Sequence, residues 1–342
     1  MKIAVGMSGG VDSAAAAMLL CDEGHDVIGI TLRLTGLSEE DKAVEDAENI
    51  CMQLGIPHIA ADMRSEFERE VKNYFSSEYI KGRTPNPCIR CNRFIKFGYM
   101  YDLAKKHGCD MISTGHYAEK IKLDGTWYIK NTGSRKDQSY MLWMLTQDQI
   151  EHAYFPVCSY DKEKIRDILR ERHIDIHSKP DSQDICFIPD GNYAGYLKKY
   201  AGIDDKPGFF KDRDGKVIGK HTGYFNYTVG QRKGLGGGFP QPMFVLSIDA
   251  ARNEVVLGTA EQKMSNDCIC RNINMPKNIE IGESIEAEVK IRYSARPAKA
   301  AITRIDIDRA KIHFDYAQSA ITPGQSAVGY SDGLVVFGGE IE

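Results

Sequence analysis

The sequence predicts an α/β protein in which a doubly wound parallel-sheet domain is followed by a small central domain and a C-terminal β-barrel. Two patterns support this prediction. Apolar runs of strand length alternate with helix-forming stretches in the first half of the chain. From about residue 208 onward, short β-like runs are separated by glycine, proline and Asx turns. We expect the parallel-sheet domain over 1–203, the central domain over 204–265 and the barrel over 266–342.

Size and composition are those of an ordinary globular protein. The chain has 342 residues, of which 42% are hydrophobic and 27% are charged. No apolar stretch approaches the length of a membrane span, and the chain begins directly with a predicted strand, so we expect a cytoplasmic protein without membrane contact. Nine cysteines in a chain of this length indicate a reducing compartment, where reactive thiols are catalytic or bind metal.

The net charge of −4 hides an uneven distribution of basic residues. The segment 81–106 carries seven Lys/Arg residues and only one acidic residue. Such a basic segment is compatible with a nucleic-acid backbone as partner. A solvated basic face is an equally good interpretation of the charge alone.

The first strand of the predicted sheet leads into a turn whose residues favour phosphate binding, with an ordinary βα turn as the alternative interpretation. The strand KIAVG (2–6) is followed by SGGVDS (8–13) and then by the helix-forming run AAAAMLL (14–20). The unpaired N–H groups at the start of a helix attract anions, and glycines allow a phosphate to approach the backbone. The turn lacks the Lys-Ser/Thr pair of the P-loop and is not the dinucleotide motif G-x-G-x-x-G.

Further strands are predicted at 27–32, 58–61 and 110–114, with a helix over about 40–54. The ends of two of these strands, at Leu32 and at Thr114-Gly115-His116, should lie at the same sheet edge as the glycine turn. Ser65 and Glu68 predict a capping box at the start of the next helix.

The stretch TPNPCIRCN (84–92) is predicted to be a loop, because its two prolines and its asparagine disfavour helix and central strand. Its pair Cys88 and Cys91 has three interpretations: half of a metal site, a redox pair, or one catalytic thiol beside a bystander. A four-thiolate zinc site needs a second pair of similar spacing, which Cys268 and Cys270 do not provide. Cys186 follows the polar run DSQD (181–184), although a cysteine between Ile and Phe is usually buried filler.

SGGVDS between a first strand and a first helix resembles the PP-loop of the ATP pyrophosphatase superfamily, whose members split ATP between the α- and β-phosphates. Seven motifs in order make the resemblance specific: SGGVDS, GRTPNPCIRCNRFIKFG, TGHY, KDQSYML, DSQDICFIPDGNY, YTVGQRKGLG and TPGQSAVGY. Over essentially its whole length, the chain resembles the tRNA-specific 2-thiouridylase (MnmA/TrmU) family.

This resemblance implies an ATP-dependent sulfurtransferase that makes 2-thiouridine at the wobble position of tRNA. ATP, accompanied by Mg²⁺, would adenylate the C2 oxygen of the uridine. A persulfide on Cys186 would then deliver sulfur, and Cys91 would attack it, leaving a transient Cys91–Cys186 disulfide. The resemblance places ATP on Gly6, Met7, Ser8, Gly9, Gly10, Val11, Asp12, Ser13, Leu32 and Gly115.

The resemblance also implies contacts with tRNA. It places the target base at Asn86, Pro87 and Cys88, and further tRNA contacts at Lys136, Asp137, Gln138, Arg292 and Tyr293. Without it, residues 136–138 would be interpreted as a polar turn before a helix, and 292–293 as a strand end with a solvated arginine. A cysteine desulfurase or a sulfur-relay protein should supply the sulfur.

One position departs from part of the family, because some members carry Asp where this chain has Cys88. This exchange weakens any general-acid role there. It also raises the alternative of an iron-sulfur cluster on Cys88, Cys91 and Cys186, where three thiolates would leave one iron open for sulfur. No other metal site is predicted.

The sequence leaves two other functions open. The first is another PP-loop ligase acting on a small carboxylate, which would have no use for the two thiols. The second is a non-catalytic RNA-binding or redox module whose nucleotide loop is vestigial.

Overall fold

The structure is a computed structural model that describes residues 1–174, 176 and 185–342. It contains two compact units. The first comprises Met1–Lys72, Cys88–Pro189 and Asp332–Val335, and the second comprises Asn73–Pro87, Asp190–Ser331 and Val336–Glu342. The division into three domains at residues 203 and 265 stays a prediction.

The helices are numbered in chain order. The α-helices are α1 (Val11–Asp22), α2 (Ser38–Leu54), α3 (Arg64–Phe67), α4 (Asn73–Ile80), α5 (Pro87–Arg90), α6 (Met100–Lys106), α7 (Gln147–His152), α8 (Lys162–Glu171) and α9 (Tyr193–Ala201). Glu68–Lys72 and Cys91–Tyr99 are π-helical, and Ser139–Leu142 and Tyr224–Asn226 are 3₁₀-helical. In the part of the chain that the structure describes, no helix is long and apolar enough to cross a membrane.

The strands are likewise numbered in chain order. They are β1 (Lys2–Gly6), β2 (Asp26–Arg33), β3 (His58–Asp62), β4 (Met111–Ser113), β5 (Glu119–Leu123), β6 (Thr126–Lys130), β7 (Ala153–Tyr154), β8 (Gly208–Lys211), β9 (Val217–His221), β10 (Phe244–Asp249), β11 (Glu254–Gly258), β12 (Met264–Asn274), β13 (Ser284–Lys290), β14 (Ala298–Arg304), β15 (Ala310–Ser319), β16 (Ser326–Ser331) and β17 (Leu334–Ile341).

A parallel sheet forms the centre of the first unit. Its strand order is β3-β2-β1-β4-β7, and all neighbouring strands are parallel. Ile3 of β1 lies opposite Val27 on one side and opposite Met111 on the other. Because β1 pairs with β2 and β4, the carboxyl ends of these three strands meet at one edge. The prediction of a doubly wound parallel sheet is confirmed.

Helix α1 is packed into the core of this unit along most of its length. Its four alanines, residues 14–17, are fully buried, and they share a cluster with Ile3 and Val5 of β1 and with Ile165 and Leu169 of α8. Small side chains allow a helix to approach a sheet closely at little cost in side-chain entropy. The alanine run therefore holds the start of α1 firmly against β1.

Two local predictions were wrong. Helix α3 begins after Met63 without a side-chain cap, so Ser65 and Glu68 form no capping box there. The stretch 84–92 is not a loop throughout, because Pro87 begins helix α5 and Cys91 begins a π-helical segment of nine residues. Proline is well suited to a first helical position, where its missing N–H would have no partner in any case.

The second unit is rich in β-structure, as expected for the later part of the chain. One sheet has the strand order β10-β11-β8-β9, in which β11 and β8 are parallel and the other two neighbouring pairs are antiparallel. Strands β12, β15, β14, β13, β16 and β17 follow one another in a second sheet, and the pairing of β12 with β17 closes it. The predicted C-terminal barrel is confirmed, and its interior is filled by apolar side chains such as Ile302, Ile312 and Phe314.

A buried carboxylate ties the early segment Asn73–Pro87 to the later strands of this unit. Glu78 accepts hydrogen bonds from Lys81 Nζ at 2.8 Å and from an Arg271 guanidinium nitrogen at 2.7 Å, and Arg83 lies 3.3 Å away. Close by in sequence, the Thr84 N–H donates to the carbonyl of Pro323 at 2.8 Å. Burial alone would raise the pKa of Glu78, but the hydrogen bond from Lys81 and the neighbouring arginines lower it overall.

We expect Glu78→Gln to destabilise the protein by about 2–3 kcal/mol at pH 7. This is less than the cost of breaking a fully buried pair, because the three cations remain partly solvated. The depressed pKa means that the stabilisation is present above pH 4.5 and is lost as the pH falls through the folded-state value. Urea unfolding followed by circular dichroism at pH 7 and at pH 3 measures both effects.

The control is Glu280→Gln, since Glu280 is exposed and should change stability by no more than about 0.5 kcal/mol. Equal stability of the Glu78 and Glu280 variants at pH 7 would contradict this role of Glu78.

Candidate nucleotide and thiol site

The turn between β1 and α1 leaves the start of the helix open. Gly10 precedes α1, and no side chain caps the helix N-terminus. The Ser13 hydroxyl donates to the Gly10 carbonyl at 2.9 Å and accepts from the Ser8 N–H at 3.2 Å, so it stabilises the turn itself. Gly9 has a φ of +63°, and a Cβ there would lie 2.6 Å from the Ala43 carbonyl oxygen. Only glycine fits at this position.

Asp12, in the first turn of α1, is held by two side chains from distant parts of the chain. Lys162 Nζ lies 2.7 and 2.6 Å from its two carboxylate oxygens, and the Tyr117 hydroxyl donates to it at 2.8 Å. Lys162 is the first residue of α8. Sequence reasoning missed it, because nothing local connects it with a residue 150 positions away.

Two further predicted nucleotide residues lie at the ends of strands that neighbour β1. Leu32 is near the end of β2, and Gly115 follows β4. A Cβ on Gly115 would lie 2.6 Å from the backbone carbonyl carbon of Asp12, so the two backbones are in contact. The turn, Leu32 and Gly115 thus lie at one edge of the sheet, as expected for a parallel α/β fold.

The three cysteines singled out from the sequence interact with one another. Cys91 is buried, whereas Cys88 and Cys186 are exposed. Burial raises the pKa of the Cys91 thiol to about 12, Lys96 opposes this increase, and Cys186 and Cys88 add to it. An electrostatic effect of this kind requires the three sulfur atoms to lie near one another. The polar residues 181–184 before Cys186 lie outside the described residues.

Cys186 is also close to the carboxyl end of β2. Desolvation by the surrounding protein raises the pKa of its thiol to about 11, with smaller contributions from Cys88 and from Glu40. Because the side chain is exposed, water offsets part of this increase. The Glu40 carboxylate accepts from the Thr35 N–H at 2.8 Å, just beyond β2. The thiols and the nucleotide turn therefore share the same edge of the first unit.

Lys96 is the second functional candidate that sequence reasoning missed. It was visible only as one member of the basic segment 81–106. In the structure its charge acts on Cys88, Cys91 and Cys186, and it lowers the pKa of each. It also acts on His116, which is buried and 2.7 Å from the Thr114 hydroxyl.

His116 is a neutral packing residue in this arrangement. Burial first, and the charge of Lys96 second, place its pKa well below 6.5. Nearby, Asn92 is buried and donates to the Met141 carbonyl at 3.0 Å, while its Oδ1 has no partner among the described residues.

The segment 136–138 is a turn before the 3₁₀-helix. The Asp137 carboxylate accepts from the Thr132 N–H at 3.0 Å and from the Ser139 hydroxyl at 2.7 Å. The Gln138 side chain accepts from the Tyr117 N–H at 3.0 Å. Asp137 and Gln138 therefore support the local backbone, and Gln138 also supports the tyrosine that holds Asp12. Lys136 is exposed.

The remaining predicted residues lie near helix α5 and beyond the end of β13. Asn86 immediately precedes α5, which begins at Pro87 and carries Cys88. Arg292 and Tyr293 lie in the second unit, in an exposed turn after β13, with the Lys290 ammonium 5.5 Å from the tyrosine ring. Across the described ranges, no group of three or more His, Cys, Asp or Glu side chains is arranged to hold a metal ion.

Comparisons with known proteins agree with the observed fold. Family models described as the tRNA methyl transferase HUP domain, the tRNA methyl transferase PRC-barrel domain and the aminomethyltransferase beta-barrel domain match residues 1–190, 194–259 and 265–341. A 4-thiouridine synthetase solved with RNA and ATP aligns with a TM-score of 0.40 at 18% identity, covering 58% of this chain and 50% of that one. A likeness at that level does not bear on function.

Relatives of similar length are much closer. The tRNA-specific 2-thiouridylase MnmA of Clostridium perfringens is 45% identical over 355 aligned positions, which cover 100% of this chain and 98% of the relative. The enzyme of the same name from Clostridioides difficile is 44% identical with the same coverage. The chain therefore belongs to the tRNA-specific 2-thiouridylase (MnmA) family.

Proposed function

We propose that this protein is an ATP-dependent tRNA-uridine 2-sulfurtransferase that makes 2-thiouridine at the wobble position. The observation that carries the proposal is the position of Cys91 and Cys186, which interact with each other beside the carboxyl end of β2. A nucleotide on the β1–α1 turn and two sulfur atoms would thus be within reach of one pyrimidine. Family membership supplies the substrate class.

The reaction needs activation because the C2 carbonyl of uridine is part of a urea-like system and is a poor electrophile. The C2 oxygen attacks the α-phosphorus of ATP, which releases pyrophosphate and leaves AMP on that oxygen. The terminal sulfur of a Cys186 persulfide then attacks C2, and AMP departs with the oxygen. Cys91 thiolate attacks the Cys186 sulfur, which forms the Cys91–Cys186 disulfide and frees the 2-thiouridine anion.

The environment of the two thiols fits this division of roles. Cys186 is exposed, as a residue must be that accepts sulfur from another protein, whereas Cys91 is buried beside it. The raised pKa values of both groups keep the plain thiols mostly protonated at neutral pH. A persulfide is more acidic than a thiol and is therefore the better sulfur nucleophile in such surroundings. A thiol reductant must reduce the disulfide before the next turnover.

ATP is a substrate in this scheme, and the proposed site for it comprises Gly6–Ser13, Leu32 and Gly115. The uncapped start of α1 offers backbone N–H groups to phosphate oxygens. Mg²⁺ would be held mainly by the phosphates of ATP, and Asp12 is the carboxylate of the turn that fits a further ligand. Lys162 neutralises that carboxylate in the structure, 2.6 Å away.

The proposed tRNA contacts lie on both units. Asn86, Pro87 and Cys88 would surround the target base. Lys136, Asp137 and Gln138, together with Arg292 and Tyr293, would contact other parts of the tRNA. A cysteine desulfurase or a sulfur-relay protein would load the persulfide. ATP, tRNA and reduced thiols occur together in the cytoplasm, where we place the protein.

An iron-sulfur cluster on Cys88, Cys91 and Cys186 is the alternative form of sulfur delivery. The donor chemistry suits it, since thiolates bind such clusters. The arrangement does not, because within the described part of the chain these side chains do not form a metal-binding group. We therefore assign no step to a cluster. Anaerobically purified protein that is brown and contains iron, and that loses both in Cys88→Ser, would favour the cluster over the persulfide.

The two rival functions predict different results. A PP-loop ligase acting on a small carboxylate would keep its activity when Cys91 and Cys186 are replaced by serine. An RNA-binding or redox module would release no pyrophosphate from ATP when unmodified tRNA is present.

We expect Cys91→Ser and Cys186→Ser each to abolish 2-thiouridine formation, because serine can neither carry a persulfide nor form a disulfide. The assay incubates each protein with ATP, a sulfur source and unmodified tRNA, and detects 2-thiouridine by nucleoside mass spectrometry. Pyrophosphate release should persist in both variants, since adenylation precedes sulfur transfer.

Cys158→Ser is the matched control, because Cys158 belongs to none of the motifs and should keep full activity. Full thiolation by either Cys91→Ser or Cys186→Ser would contradict the proposed chemistry.

We expect Gly115→Ala to weaken ATP binding about tenfold or more. The new Cβ would lie 2.6 Å from the Asp12 backbone, so the turn must move, and overpacking of this kind costs about 1–3 kcal/mol. Isothermal titration with ATP and Mg²⁺ measures the change.

Gly219→Ala serves for comparison, because its Cβ comes no closer than 3.2 Å, to a Phe210 ring atom. Unchanged ATP affinity in a folded Gly115→Ala protein would argue against nucleotide binding at this edge.

A further inference from the structure

The segment Cys91–Tyr99 is wound differently from the α-helices around it. It is π-helical, so its backbone hydrogen bonds join residues five apart, as shown by the Met100 N–H donating to the Ile95 carbonyl. Lys96 follows Cys91 by five residues and therefore lies one turn further along on the same side. In an α-helix the two side chains would be rotated about 140° apart. The π-helix is rare, and where it occurs it is frequently at a functional site.

Lys96, in this π-helical segment, is a cation that has no acidic partner among the described residues. Lys96 is half-buried, and among the described residues its ammonium forms no salt bridge or hydrogen bond. The groups on which its charge acts are the thiols of Cys88, Cys91 and Cys186 and the imidazole of His116. By contrast, Lys105 on the next helix pairs with Asp102 at 2.8 Å.

A half-buried ammonium is costly unless an anion accompanies it. His116 cannot balance the lysine, because its imidazole is held neutral here and would be a second cation if it were protonated. The anions that can arise beside Lys96 are sulfur anions. In the proposed reaction two of them form in succession, first the persulfide on Cys186 and then the thiolate of Cys91.

We propose that the ammonium of Lys96 serves as the countercharge for both sulfur anions in turn, and that the π-helical winding brings it to the same side of the segment as Cys91. This inference rests on the proposed sulfur transfer for its role in turnover. The electrostatic part stands without it, because a cation beside three thiols must alter their reactivity toward charged reagents whatever the protein does.

The first experiment uses the reduced wild-type protein and needs neither ATP nor tRNA. Cys186 is alkylated with neutral iodoacetamide and with anionic iodoacetate, and the rates are read from peptide mass spectrometry. Cys158, which belongs to none of the motifs, is the internal reference. We expect the iodoacetate-to-iodoacetamide rate ratio to be at least about threefold higher at Cys186 than at Cys158. A ratio at Cys186 equal to or below that at Cys158 would overturn the proposal.

The second experiment compares Lys96→Met, Lys96→Arg and the control Lys105→Met. Loss of the charge should remove the preference for iodoacetate at Cys186 and slow alkylation by iodoacetamide about three- to tenfold at pH 8, because less thiolate is present. The arginine variant and the Lys105 variant should behave like the wild type. Loss of the preference in Lys96→Arg, or its survival in Lys96→Met, would overturn the proposal.

Turnover gives the third readout. Lys96→Met should lower the rate of 2-thiouridine formation at saturating ATP and tRNA at least tenfold while leaving the KM for ATP unchanged, and Lys96→Arg should restore most of it. If the Lys96 variants show the expected changes in alkylation but the wild type forms no 2-thiouridine, the proposed function is wrong and the charge effect of Lys96 is confirmed. If Lys96→Met forms 2-thiouridine at the normal rate, the proposed role of Lys96 is wrong and the proposed function of the protein is unaffected.

Discussion

The parallel pairing of β1 with β2 on one side and β4 on the other is the constraint on which the rest of the first unit depends. It brings the carboxyl ends of three strands to one edge of the sheet, where the β1–α1 turn, Leu32 and Gly115 lie. The contact is close enough that the Gly115 position admits no Cβ beside Asp12. The buried alanines of α1 hold the start of the helix at this edge, so a change in strand order would separate the residues of the proposed nucleotide site.

The electrostatics of the thiol cluster reflect two opposing effects. Burial favours the neutral thiols, and a single lysine favours the sulfur anions. Burial is the larger effect at both Cys91 and Cys186. A site of this kind keeps its thiols mostly protonated at neutral pH, and in the proposed mechanism it would favour the more acidic persulfide over the plain thiol. At His116 the two effects act in the same direction, because burial and the charge of Lys96 both lower the pKa of the imidazole and keep it neutral.

Much of the fold could be predicted from local patterns in the sequence. The first strand, the glycine turn and the alanine helix are contiguous, and composition and periodicity indicate each of them. The alternation over the first half predicted the parallel sheet, and the turn-rich second half predicted the barrel. The helix at Pro87 was missed because proline breaks a helix in its interior but begins one well at its first position. The π-helical segments were missed because no composition separates them from α-helix.

The candidate site was less accessible to such reasoning. Its glycines and cysteines stand in motifs, but the residue-by-residue roles came from family resemblance and stay predictions. Lys162 and Asp12 are 150 residues apart, and only the folded chain joins them. Lys96 was hidden in a basic segment whose charge alone fitted a solvated face equally well. Its significance depends on the winding of the backbone between it and Cys91.

The network around Glu78 has a consequence for how the chain is made on the ribosome. Glu78, Lys81 and Arg83 emerge together in the segment Asn73–Pro87, but Arg271, the third cation of the network, follows Glu78 by 193 residues, a delay on the order of ten to forty seconds at ordinary elongation speeds. During that interval Glu78 has only its local partners Lys81 and Arg83, and the second unit is incomplete. A nascent chain that stalls in between would leave this segment exposed to chaperones or proteases. The late strands therefore complete the packing of the segment at the end of synthesis.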